Sequence, residues 1–130
     1  MLTITELKTA HSKVKTGADY PSYVQEIIKL GVVSYETFVN DNHTDYIGVD
    51  GMKAASKPTG EVLTIANQSD KGTFLIDIKE HQHGKTDYST FRKDCAKSGV
   101  EKWVADLSMM TCTYFDISGN ELLVEQIPIV

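Results

Sequence analysis

Two histidines one residue apart, His81 and His83, with Asp77 and Glu80 just upstream, form the densest group of potential metal ligands in this chain. A tetrahedral site needs imidazoles that converge on one ion. The surrounding pattern reads as helix, where residues two apart point about 200° away from each other. His81 and His83 therefore stay weak candidates, and no metal or other cofactor is expected. Histidines in a last helical turn suit the negative end of the helix dipole, and Asp77, one turn before His81, is placed for an ion pair with it. A metal site would need His11 or His43 brought alongside.

The run His83-Gly84-Lys85-Thr86 imitates the end of a phosphate-binding loop. The full pattern wants a second glycine five positions earlier, where Lys79 stands, and a strand before the loop. Gly84 as a helix stop, followed by a capped helix, explains the run without a nucleotide. No nucleophile elbow, Cys-x-x-Cys pair or His-Glu-x-x-His is present, and no serine stands in a triad context, so no catalytic residue is assigned. Cys112 with His43 is the remaining thiol–imidazole pairing, and it would need an electropositive, open setting to react.

The formal charge of -5 over 130 residues argues against a dedicated nucleic-acid binder, since phosphate neutralisation needs clustered cations. Lys85, Arg92, Lys93, Lys97 and Lys102 make one stretch locally basic, but Asp87, Asp94 and Glu101 are interleaved, as on a solvated helix face. Any nucleic-acid or acidic-protein contact would rest there. Two cysteines give no disulfide framework, and Met1 leads straight into an amphipathic segment, so a cytoplasmic location is expected. No run of about eighteen apolar residues exists to span a membrane.

The helices and strands that carry these groups occur in pairs. A shift of 68 positions lays Asp19-Tyr20 on Asp87-Tyr88, Tyr23 on Phe91, Gly31-Val32 on Gly99-Val100, Tyr35 on Trp103, Tyr46 on Tyr114 and Gly51 on Gly119. One register covers them all, as expected of a repeated supersecondary unit. Thr3-x-x-Glu6 has the form of a capping box for a first helix with Ile4, Leu7, Ala10, His11 and Val14 on its apolar stripe, stopped at Lys15-Thr16-Gly17. A second helix starts near Pro21 and ends at Gly31, a left-handed cap. A strand follows with Val33, Tyr35, Thr37 and Val39 inward, then a strand over residues 45–49, the turn Asp50-Gly51 and a short strand over residues 52–55. Residues 62–66 are a further candidate strand.

The plan then restarts. Phe74, Leu75 and Ile78 line a third helix, Asp87 or Ser89 caps a fourth, Trp103, Ala105 and Leu107 repeat the inward face of Tyr35, Thr37 and Val39, and two strands close the chain before Pro128. Cys95 falls on Ile27 and so belongs in the core. The expected fold is α+β, a two-layer sandwich made by internal duplication of a helix-helix-strand meander unit. About four helices cover one face of a mainly antiparallel sheet, in a single domain over residues 1–130 with pseudo-repeats at about 1–66 and 67–130.

The run Gly-Lys-Thr-Asp-Tyr-Ser-Thr-Phe at 84–91, the exit Gly99-Val100, the segment Thr113-Tyr114-Phe115-Asp116 with Gly119, and the closing Val124-Glu125-Gln126-Ile127-Pro128 resemble the YdfO/YbcV-like group of small bacterial and prophage proteins. Members of that group are often labelled phage envelope protein. The resemblance implies an uncharacterised protein and brings no catalytic residue with it.

Function is then sought on surfaces. Ile47 and Val49, with Phe115 and Ile117, share one face of their strands and are expected under the helices, which leaves Tyr46, Tyr114 and Phe38 on the bare face. Aromatic residues with a polar tip suit wet interfaces. The two hairpin loops differ, Asp41-Asn42-His43 against Met109-Met110-Thr111, and adjacent methionines suit an adaptable contact. Phe38, His43, Tyr46, Met109, Met110, Cys112 and Tyr114 therefore form the candidate ligand or partner surface. The expected role is a non-enzymatic binding or interaction module acting as a homodimer. The alternative is a small-molecule-binding protein or enzyme with a cleft at the pseudo-twofold axis.

Overall fold

The structure, a computed structural model, describes residues 4–12 and 19–127. The expected features at Thr3, Val14, Lys15-Thr16-Gly17 and Pro128 lie outside the described residues. In chain order the elements are α1 (Ile4–Ser12), α2 (Tyr20–Lys29), β1 (Val32–Phe38), β2 (Thr44–Gly48), β3 (Lys53–Ala55), α3 (Lys71–Gln82), α4 (Tyr88–Lys97), β4 (Val100–Asp106), β5 (Thr111–Asp116) and β6 (Glu121–Gln126), with a 3-10 turn at Val49–Gly51. The strands form one six-stranded sheet in the order β3-β2-β1-β4-β5-β6, antiparallel throughout.

Local chemistry explains the boundaries. Pro21 occupies the first turn of α2, where its missing N–H would have no partner anyway. Asp70 and Asp87 cap α3 and α4 by accepting the N–H of Thr73 and Thr90. Gly31 and Gly99 leave α2 and α4 with φ of +100° and +81°, a region that glycine enters without a Cβ penalty. Each then feeds directly into a strand that carries a bulge near its start, between Val32 and Ser34 and between Val100 and Lys102.

α2 and α4, and likewise β1 and β4, have bounds 68 positions apart. The pairing of β1 with β2 and of β4 with β5 runs in corresponding register, Tyr35 opposite Tyr46 and Trp103 opposite Tyr114. At the sheet centre β1 pairs with β4, and Glu36 stands opposite Val104.

The core gathers Val24, Ile27, Val39, Cys95, Val100 and Ala105, all without solvent exposure, around Tyr35, Tyr46, Trp103 and Tyr114. Burying each large aliphatic side chain contributes roughly 1.5–3 kcal/mol. Leu7 and Ala10 of α1, Phe74 and Ile78 of α3 and Phe91 of α4 close over it. Three tyrosine contacts tie helices to the sheet: Tyr23 to Tyr46 through their hydroxyls at 3.1 Å, Tyr20 to Tyr35 likewise, and the ring of Phe74 on that of Tyr114 at 5.1 Å.

The fold departs from the sequence expectation at three places. Residues 62–66 form no strand: their backbone bonds instead to a loop and a helix end, Leu63 N–H to Asn40 O and Ala66 N–H to Ala96 O. Arg92 is not on a solvated face but is buried, donating from Nε to Val39 O and from Nη2 to Asn40 O and Glu61 O. Tyr46 and Tyr114 lie on the buried face of the sheet, whereas Ile47 and Ile117 are exposed. Direct pairing with the inward Tyr35 and Trp103 decides the matter, because opposed residues on neighbouring strands share a face.

Candidate functional site

Among the described residues, the face of the sheet opposite Tyr46 and Tyr114 carries partly and fully exposed side chains, and its composition differs from the expected one. Along β4 the alternation puts Trp103 and Ala105 inward and Lys102, Val104 and Asp106 outward. Lys102 stands opposite Phe38 on one side and Phe115 on the other. Its ammonium lies 5.7 Å from the Phe38 ring centroid and 5.8 Å from that of Phe115, and 2.5 Å from Glu36 Oε1. A cation held between two ring faces and a carboxylate gains from each. Exposed Val124 lies on the neighbouring β6 opposite Thr113, and exposed Ile47 stands opposite Ser34, at the other end of β1 from Phe38.

The first hairpin loop borders the same face. His43 stacks on Phe38 with ring centroids 4.5 Å apart. Its Nδ1 is 2.6 Å from Asp41 Oδ1, and its Nε2 is 3.6 Å from Asp45 Oδ1. The bonds from His43 hold the Asp41 carboxyl below its usual pKa, outweighing a burial effect of opposite sign. Asn42, in a left-handed conformation with φ +58°, receives the Tyr88 hydroxyl at 2.6 Å and donates to Thr59 Oγ1 at 2.9 Å. The loop is thus braced from α4 and from the segment after β3.

The second hairpin loop has Met110 at the corresponding left-handed position, φ +54°. Its carbonyl accepts the Ile127 N–H at 2.7 Å, and its side chain packs against the core. Met109 is exposed. The two methionines therefore divide, one inward and one outward.

The remaining expected site residues do not assemble. Tyr46 meets Tyr23 and Tyr114 meets Phe74 on the helix side, whereas His43 lies against Phe38 on the open side. Cys112 is buried, and burial pushes its thiol up to about 12. A protonated thiol at neutral pH is a poor nucleophile. Cys95 is raised by burial as well, and both cysteines are free.

His81 makes its bond to Thr86, Nδ1 to the carbonyl at 3.1 Å, and stacks on Phe91 at 4.4 Å, rather than pairing with Asp77. Burial lowers its pKa. His83 is the exposed C-cap of α3. Among the described residues, no group of three or more His, Cys, Asp or Glu could hold a metal ion. No described helix is long and apolar enough to cross a membrane.

Sequence reasoning missed Lys102, Glu36 and Arg92. The Lys102 row could have been found by counting outward from Trp103, since Phe38 and Phe115 then fall beside it. Nothing local marks Arg92, whose carbonyl partners lie 31 to 53 residues away in the chain. A family model described as a protein of unknown function, DUF1398, matches residues 8–126. No curated protein matches the chain.

Proposed function

The chain belongs to the DUF1398 family of proteins of unknown function, and from that premise we propose that it is a non-enzymatic interaction module whose open sheet face meets a second copy of itself. The observation that carries this reading is the row Phe38-Lys102-Phe115 across three neighbouring strands, with exposed Val124 on the next strand. It sets two aromatic rings about the ion pair of Lys102 with Glu36 on the outer side of the central strands. Aromatic side chains at the centre of a patch are what interface cores favour.

The reading includes an internal duplication in one domain, with the helices layered on the buried face. It is supported by the pairing of Glu36 with Val104, which lies 68 positions on. In a duplicated sheet the residue on the pseudo-twofold axis pairs with its own counterpart. A homodimer through such a face would be isologous, each copy offering the same patch. The two free buried thiols suit a reducing compartment such as the cytoplasm.

Sedimentation over a hundredfold range of concentration tests the proposal, with Val124→Lys and Phe115→Ser as variants. A mass that rises towards twice 14.4 kDa, and that either variant abolishes, is the expected result. A strict monomer at every concentration excludes it.

A further inference from the structure

All but one of the 13 basic residues are lysines, and the one arginine, Arg92, is only 6% exposed. Its guanidinium is fixed by three carbonyls: Nε to Val39 O at 2.8 Å, and Nη2 to Asn40 O at 2.8 Å and to Glu61 O at 2.6 Å. Carbonyls satisfy donors but leave a full positive charge. Among the described residues no carboxylate pairs with it; Glu61, the nearest in sequence to the clamp, directs its own carboxylate to Lys93 at 3.3 Å. A buried charge is ordinarily paired with an opposite one.

Nη1 makes no hydrogen bond within the described residues, and no buried side-chain nitrogen or oxygen among them lacks a partner. Nη1 is therefore the edge of the guanidinium that reaches solvent. It does so beside Gly60, where an added Cβ would stand 3.2 Å from Nη1. Gly60 has φ +75° in an exposed loop, so the one residue without a side chain is the one that would otherwise crowd this edge.

We propose that Arg92 Nη1 anchors an oxyanion site, taking a carboxylate or phosphate group at the opening beside Gly60. The three carbonyl bonds hold the guanidinium in place before the ligand arrives, and burial strengthens its charge-assisted bond to an oxygen anion. Lysine would not serve, because its ammonium cannot grip three carbonyls in a plane and still present a free N–H edge.

The single arginine gives a single side-chain Nε–Hε signal, which can be followed by NMR at constant ionic strength while inorganic phosphate, acetate or chloride is added. Saturable shifts of this signal and of the Gly60 amide with phosphate, acetate or both, but not with chloride, are expected; the anion that shifts them identifies the group. Equal, non-saturating drift with all three salts is an adventitious ion only and overturns the proposal. Arg92→Met risks unfolding two loops, so Gly60→Ala is the deciding variant. It leaves Arg92 and its three acceptor residues unsubstituted and crowds Nη1, and should weaken binding at least fivefold (~1 kcal/mol), with an unshifted Arg92 Nε–Hε signal in the anion-free variant showing that the clamp survives a Cβ at φ +75°. Unchanged binding in a folded Gly60→Ala protein would place the anion elsewhere and also refute the site.

Discussion

A Cβ built on Gly99 would stand 2.8 Å from the Cα of Ser69, closer than real side chains approach a backbone. The segment joining the first meander to α3 is thus laid directly on the exit of α4, where Asp70 N–H also bonds Ser98 O at 2.9 Å. At Gly31 the same construction meets only Val49 Cγ2 at 3.6 Å, an ordinary contact. Both glycines carry positive φ, so Gly31→Ala should lose about 1 kcal/mol from backbone strain alone. Gly99→Ala adds the collision and should lose about 3 kcal/mol. Urea unfolding midpoints measure both; equal losses would remove the docked segment from the account.

The α4 cap is a local bond. Asp87 Oδ1 accepts Thr90 N–H at 2.7 Å, and Asp70 Oδ1 accepts Thr73 N–H at 3.1 Å. Replacing either by Ala should destabilise by about 1 kcal/mol, and by Asn or Ser much less. Thermal unfolding of the six variants checks the order.

How much of this was legible can be judged from these same residues. Gly31, Gly99 and the α4 cap, narrowed to Asp87 or Ser89, are punctuation whose meaning is local, so those helix ends and strand starts could be read directly, whereas the Asp70 cap of α3 was not. The faces of β2 and β5 could not. Tyr46 and Ile47 both suit a buried position, and aliphatic character favours Ile47. The outcome turned on a partner for the phenol, since Tyr46 enters the core with its hydroxyl on that of Tyr23, 23 residues away. Arg92 was illegible for the same reason, because its acceptors belong to loops that only the fold brings to α4. A site built from long-range satisfaction of polar groups leaves no spacing pattern to find.

Acid should destabilise the protein in two steps. His81 has its pKa lowered by burial, so the folded state prefers the neutral ring. Stability is complete above the unfolded value near 6.5 and declines as pH falls below it, since only the unfolded chain then takes up the proton readily. Asp70, Asp87 and Asp116, lowered chiefly by backbone hydrogen bonds, and Asp106, lowered chiefly by its bond from Ser108, lose their contribution only below about pH 4. His81→Phe, which can keep the stack on Phe91, should flatten the first step and leave the second. Denaturation midpoints between pH 8 and pH 3 would reveal an unchanged first step if another group were responsible.

Cys95 and Cys112 should resist modification. With both buried and Cys112 pushed up to about 12, the native protein at pH 8 should react with a thiol reagent only through unfolding or local opening. Two thiols should appear at once in denaturant. Immediate labelling of one thiol in the native protein would restore Cys112 as a candidate nucleophile.

The hydroxyl pair Tyr23–Tyr46 allows a sharper test of the buried polar layer. The two oxygens are 3.1 Å apart in the core, and burial raises both phenols, so each stays protonated and can donate. Tyr23→Phe removes one partner of the Tyr46 hydroxyl, which keeps its bond with Thr44, and Tyr46→Phe removes one partner of the Tyr23 hydroxyl. Each should destabilise by about 1–2 kcal/mol. The double variant removes both polar atoms together and leaves less to satisfy, so its loss should fall short of the sum by about 1 kcal/mol. Strict additivity in urea unfolding would mean that the hydroxyls act independently, and the inward placement of Tyr46 would then need an explanation other than its bond to α2.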